Sequence, residues 1–150
     1  AGGTGVAPLV QIMRLILDDA EDSTTVHLLS INRREEDILM REELDRLAAI
    51  HPDRFSVTYS LTGDETPADW KGERGRGSVE MAREALPPPA DADGSTMIFV
   101  CGKDGFVETW GGLVTRGPPK TPGGKGPKVQ GPLLGILREA GYDASEVYKY

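Results

Sequence analysis

Four residues near the amino end, Gly2-Gly3-Thr4-Gly5, and two near residue 100, Cys101-Gly102, are where this chain could do chemistry. A glycine run offers backbone with no side chain to block a phosphate, and N–H groups that can point at it. Leading through Val6 and Ala7 into Pro8 and an apolar helix, it suits a pyrophosphate held where a strand passes into a helix. Pro8 fits the first helical turn, where a missing N–H costs nothing. Thr96 to Val100 reads as a buried parallel strand. Cys101-Gly102 falls at its carboxyl end, where open α/β sheets hold ligands. Two ligand-facing edges are therefore expected side by side.

Other reactive side chains invite plainer readings. Cys101 has no visible histidine partner to activate a thiol, so a contact residue is expected rather than a nucleophile. His27 lies mid-strand and reads as a satisfied core or helix-contacting histidine, and His51 sits at a helix end; no metal site is expected. Glu35, Glu36, Glu42, Glu43 and Asp45 read as a solvated helix face. Gly123-Gly124-Lys125-Gly126 lacks the spacing and the Ser or Thr of a phosphate-binding P-loop.

The elements that must position the two edges follow from periodicity. Leu9, Ile12, Met13, Leu15 and Ile16 give the packed face of a helix from about Pro8 to Ala20. Thr24 to Ser30 is a β-branched, apolar strand. Ile38, Leu39, Leu44, Leu47 and Ile50 predict a second helix, stopped by His51-Pro52. Phe55, Val57, Tyr59 and Leu61 alternate as a strand running into Thr62-Gly63-Asp64. A long loop precedes a short helix at Val79 to Leu86, ended by Pro87-Pro88-Pro89. After Cys101, a helix is expected near Gly105 to Trp110. Arg116 to Lys128 reads as a polar surface insertion without packed structure. Leu133 to Leu137 begin a last helix, stopped at Gly141, and Val147 to Tyr150 form a terminal strand. Strand and helix alternate throughout, which calls for one α/β domain, a three-layer parallel sheet with helices on both faces.

Composition narrows the partners. The chain has 150 residues, 38% of them apolar, and a formal charge of −7. An acidic chain is a poor sequence-independent binder of nucleic acid. A single cysteine excludes an intramolecular disulfide, and no apolar run approaches the ~20 residues needed to span a bilayer. Because the sequence starts in the glycine loop, the strand that should precede it is expected to be cropped, together with any upstream targeting signal or membrane anchor.

With these segments in hand, the chain resembles the nicotinamide-binding domain of the ferredoxin-NADP reductase superfamily, its cytochrome b5 reductase branch most of all. The matching pieces are Gly2 to Pro8, Asn32 with Asp37-Ile38-Leu39 and Glu43-Leu44, Tyr59 with Pro67 and Trp70, Pro87-Pro88-Pro89, Cys101-Gly102 and the aromatic terminus at Tyr150. The resemblance implies a Rossmann-like nucleotide-binding domain over residues 1–150, with an FAD-binding barrel upstream. It implies hydride transfer from NAD(P)H to that FAD, with electrons passing on to a haem protein such as cytochrome b5. Gly2, Gly3, Thr4, Gly5, Val6 and Pro8 would hold the cofactor's pyrophosphate and nicotinamide end, with Thr4 also facing the flavin. Cys101 and Gly102 would flank the nicotinamide, Thr4 and Cys101 lying nearest the chemistry. Asn32, Asp37 and Thr62 would lie toward the adenosine, and Phe106 would replace the apolar packing that follows the cysteine in the reductases. Thr62 stands where NADH-selective members tend to carry an acid, while Arg33, Arg34, Arg74 and Arg76 could meet a 2′-phosphate; NADH is favoured and NADPH stays open. The insertion from Leu113 to Gln130 is unusual for the branch. Tyr150 could lie near the flavin or simply complete the last strand. A mitochondrial or a cytoplasmic, membrane-associated setting is implied, and a flavoreductase serving mitochondrial cytochrome c maturation is a variant. A non-catalytic nucleotide-binding or regulatory module is the alternative from another class.

Overall fold

A computed structural model describes residues 1–90 and 95–150. Helix α1 (Val6–Asp18) follows a 3₁₀ turn at Gly3–Gly5 and leads to β1 (Val26–Asn32). Helix α2 (Arg41–Ile50) and strand β2 (Phe55–Leu61) come next, then β3 (Glu73–Arg74), α3 (Val79–Ala85) and β4 (Ile98–Val100). Beyond the cysteine lie α4 (Asp104–Gly111), β5 (Val114–Arg116), β6 (Lys128–Gln130), α5 (Gly135–Ala140) and β7 (Val147–Lys149).

Strands β1, β2 and β3 form one parallel sheet, and β4 pairs with β7 in another. Ala1 and Gly2 join the two. The Ala1 nitrogen donates to the Leu29 carbonyl, the Ile31 N–H to the Ala1 carbonyl at 2.9 Å, and the Gly2 N–H to the Cys101 carbonyl at 2.8 Å. A groove of about 760 Å³ runs between β1 and β4, lined in part by Leu9, Met13, Leu29, Ile98 and Phe106.

The period of two along β1 sorts its side chains into two cores. Leu28 packs with Val6, Leu9, Val10, Met13, Leu44, Leu47 and Phe55 under α1 and α2. Leu29 and Ile31 pack with Met81, Ile98, Val100, Val107, Trp110 and Leu137 under α3, α4 and α5. The three layers expected from the alternation of elements are therefore present.

Several local expectations are corrected. The buried face of α1 is Val6, Leu9, Val10, Met13 and Leu17, whereas Leu15 is 76% exposed. The helix also ends at Asp18, two residues early. Ile38 is buried in a turn ahead of α2, while Leu39 and Ile50 are exposed. Met40 breaks the two helical segments apart with a left-handed backbone, φ 58°. In β4, Ile98 and Val100 are buried but Phe99 is not. His27 is an exposed residue of β1, its Nδ1 2.8 Å from the Ser56 hydroxyl, and not a core histidine. The span from Leu113 to Gln130 is an antiparallel ribbon, β5 against β6, rather than an unstructured insertion. Periodicity could not show this because both strands are almost wholly exposed. Backbone hydrogen bonding holds the ribbon, helped by the Arg116 guanidinium donating to the Gly126 carbonyl at 3.0 Å.

Candidate functional site

The two edges singled out by residue type meet at the carboxyl ends of the strands. Gly5 caps α1 directly against the cysteine edge: a Cβ there would lie 2.1 Å from the Cys101 carbonyl oxygen and 2.6 Å from the Gly102 nitrogen. Only a residue without a side chain permits this approach. Gly3 turns the chain with φ +51°, and nothing lies within 4 Å of where its Cβ would be. That side of the turn is open, so the positive φ alone favours glycine there. Thr4 is exposed beside it, and Cys101 and Gly102 are half-buried.

Phe106, from the first turn of α4, lies beneath both edges. Cβ atoms at Gly2 and at Gly102 would each sit 2.7 Å from its ring. Val6 is buried and contributes through its backbone, and Pro8 is the third residue of α1. There its missing N–H leaves no intrahelical bond unmade.

A second edge forms where β1 and β2 end in register, Asn32 opposite Leu61. The Thr62 N–H donates to the Asn32 carbonyl at 2.9 Å, and the Gly63 N–H to the Arg33 carbonyl at 2.8 Å. The Asn32 side chain is buried and donates to the Ser30 hydroxyl at 3.1 Å. The Asp37 carboxylate accepts from the Arg34 N–H at 3.1 Å and so caps its own turn. Of the four nearby arginines, two are engaged. Arg34 pairs with Glu65 at 3.0 Å and Glu36 at 3.6 Å, and Arg74 donates to the Pro67 carbonyl at 2.5 Å.

Near these edges the sequence marks Tyr59 and Tyr150 through the family resemblance, and does not mark Arg41 or Lys149. Arg41, ion-paired with Glu35, lies 5.6 Å from the Tyr59 ring and 5.7 Å from that of Trp70. Tyr59 donates its hydroxyl to Asp45 at 2.7 Å, and burial with this carboxylate pushes its pKa up. Tyr150 continues β7, its N–H donating to the Val100 carbonyl at 2.9 Å, and packs in the cluster that includes Cys101. Lys149 beside it is buried; the only sequence signal was its inward place in a period-two strand. Among the described residues, no three His, Cys, Asp or Glu side chains are grouped to hold a metal.

Comparison with known proteins bears on this geometry. The family described as "Oxidoreductase NAD-binding domain" matches residues 1–110. NADH-cytochrome b5 reductase 2 of Aspergillus clavatus is 41% identical over 150 residues, all of this chain and 42% of that protein. The protein of the same name from Saccharomyces cerevisiae is 38% identical over 148 residues, 99% of this chain and 45% of its own length. The chain thus spans less than half the length of these relatives, and the alignments run through the ribbon. Among solved structures, the cytochrome b5 reductase domain of Ulva prolifera nitrate reductase matches with TM-score 0.66 and 36% identity, over 71% of this chain and 39% of that one. The CS-b5R domains of human Ncb5or, in an NAD+ form, match with TM-score 0.71 over 99% of this chain and 34% of that one; at 23% identity this likeness shows the fold.

Proposed function

The chain belongs to the oxidoreductase NAD-binding domain family, and from that premise we propose that it binds NADH and directs its hydride to FAD carried by an upstream barrel domain. Electrons then leave singly to a haem protein such as cytochrome b5. The observation that carries this reading is the direct seating of the glycine turn on the cysteine edge, Gly2 N–H on the Cys101 carbonyl and Gly5 against Gly102. Such contact fixes two walls of one slot, and hydride transfer depends on stacking within van der Waals reach.

The residues present fit the cofactor, since the turn is open on the Gly3 side, which any larger residue would begin to fill. NADH supplies the hydride when bound, and the cofactors carry the bond-making. Gly3, Thr4 and the start of α1 would hold the pyrophosphate and nicotinamide end, where helix N-termini favour anions. Cys101 and Gly102 would flank the ring, and Phe106 would support both walls from beneath, its ring against Gly2 and Gly102. Thr4, exposed at the rim, would face the flavin.

At the second edge two of the four candidate arginines are already engaged, which favours NADH, and Arg33 and Arg76 remain the candidates for a 2′-phosphate. Arg34 is neutralised by Glu36 and Glu65, and Arg74 is taken up by loop carbonyls, so neither is free for a 2′-phosphate. An acidic acceptor suits the ribbon, which carries Arg116, Lys120, Lys125 and Lys128 and no carboxylate in a chain of charge −7. The family resemblance supports a mitochondrial or a cytoplasmic, membrane-associated location, which fractionation of the full-length protein tests. For the activity, anaerobic mixing of the full-length protein with NADH or NADPH should bleach the flavin's visible absorbance, faster with NADH. Bound flavin that neither nucleotide bleaches would overturn the reading.

A further inference from the structure

Lys149 is the largest fully buried side chain among the described residues, 2% exposed, and its ammonium faces carbonyl oxygens. Nζ lies 3.1 Å from Gly111 O, 3.0 Å from Gly131 O, 3.1 Å from Pro132 O and 3.5 Å from Leu113 O. These come from three places: the carboxyl end of α4 and the two legs of the ribbon. The α4 end carries the negative pole of the helix dipole. A buried ammonium without such acceptors is costly. Burial does push the Lys149 pKa below the ordinary lysine range, and the carbonyls are what satisfy its protons. Gly111 lets the side chain through, since a Cβ there would lie 3.1 Å from Lys149 Cδ.

The main chain of the same residue is held as firmly. The Gln130 side-chain amide donates to the Lys149 carbonyl at 2.8 Å and accepts from its N–H at 2.9 Å. One side chain thereby substitutes for the neighbouring strand that β7 lacks on this side. On the other side Val100 stands opposite Lys149. The next residue, Tyr150, donates to Val100 immediately before Cys101. Its ring lies 5.2 Å from that of Tyr148 and 6.3 Å from that of Phe99. It also lines a small cavity of about 210 Å³ with Asp104, Val107, Arg116 and Lys128, between the ribbon and the helix that follows Cys101-Gly102.

We propose that Lys149 and Gln130 form a clamp that ties the ribbon and α4 to Tyr150 and so positions the cysteine wall of the nicotinamide slot. Lys149 is a positioning residue, because its ammonium is enclosed by main-chain carbonyls and acts through Tyr150, Val100 and Cys101. An apolar residue could fill the volume but would leave four carbonyls from three segments without a common donor. The idea rests on the hydride-transfer reading, and it makes the ribbon part of the site's support.

The test uses the full-length flavoprotein and the variants Lys149→Met and Gln130→Ala, the second removing the clamp's other half at an exposed position. Rapid mixing with NADH reads the flavin reduction rate at saturation and the apparent dissociation constant. Hydrogen exchange reads protection at Tyr150 and across residues 113–132. The expected result is a rate at saturating NADH lowered about tenfold for a sub-ångström displacement, with an unchanged dissociation constant. Exchange should be faster at Tyr150 and the ribbon but unchanged in β1 and β2. If Lys149→Met fails to fold, Gln130→Ala decides, with a smaller loss in the same direction. Folded variants that keep the wild-type rate, or that lose rate and affinity in parallel, would overturn the clamp's role at the site. Wild-type flavin that NADH does not bleach would instead refute the hydride-transfer reading, and the exchange pattern would then decide the clamp alone.

Discussion

Gly5→Ala should damage the site by a calculable route. The new Cβ would fall 2.1 Å from the Cys101 carbonyl oxygen and 2.4 Å from its carbon, against the 3.4 Å at which ordinary contact begins. Both neighbours are backbone, so no side chain can swing aside. The glycine turn and the end of β4 must then part by more than an ångström. Overpacking of this kind costs about 1–3 kcal/mol, and a displacement of about 1 Å between reacting groups costs about 100-fold in rate. Gly3→Ala is the control: its Cβ meets nothing within 4 Å, and only the φ of +51° penalises it, by about 1–2 kcal/mol. In the full-length flavoprotein, Gly5→Ala should lower the limiting rate of flavin reduction by about two orders of magnitude. Gly3→Ala should act chiefly on NADH affinity, through the methyl group it places on the open side of the turn. Stopped-flow titration with NADH separates the two effects, and thermal unfolding reports the stability cost. A Gly5→Ala protein with the wild-type limiting rate would refute the claim that the two walls form one slot.

The remaining expectations are narrower. Thr4→Val should slow flavin reduction while leaving flavin bound, and an unchanged rate in the same stopped-flow experiment would remove the Thr4 hydroxyl from the site. Glu36→Gln with Glu65→Gln should free Arg34 and raise the NADPH to NADH efficiency ratio about two- to fivefold, the size of an exposed ion pair; steady-state kinetics with both nucleotides would detect it, and an unchanged ratio would return Arg34 to the solvated surface. Tyr59, whose pKa is raised by burial and by Asp45, keeps its proton in the fold where the unfolded chain has begun to lose it. Its contribution is therefore whole below pH about 10 and falls as pH rises toward the folded value; urea unfolding from pH 8 to 11 should show this decline in the wild type and a shallower one in Tyr59→Phe. Lys120→Glu with Lys125→Glu should slow cytochrome b5 reduction about tenfold at low salt through lost steering, while reduction of a neutral quinone stays constant.

Much of this protein is legible in residue order because the relevant physics is local. Glycines at 2, 3 and 5, a proline in the first helical turn, and an apolar run ending at Cys101 each restrict the backbone within a few residues. Their order was enough to expect the glycine turn beside the cysteine edge, and the alternation of strands and helices was enough to expect the three layers. Phe106 was marked only through the family resemblance, and the fold shows its ring against both Gly2 and Gly102. Tertiary structure alone decided what depends on distant partners. The face of α1 turned by about one residue, exposing Leu15, because its packing partners Leu28, Leu44 and Phe55 come from other elements. The ribbon escaped notice because its strands are held by cross-strand hydrogen bonds and leave no apolar period. Arg34 and Arg74 carry the same charge in sequence as free arginines, and only the fold brings Glu65 to one and the Pro67 carbonyl to the other. Lys149 is the clearest case: four backbone carbonyls make its burial tolerable. Backbone acceptors have no letter in a sequence, so only the folded chain could reveal what that lysine is for.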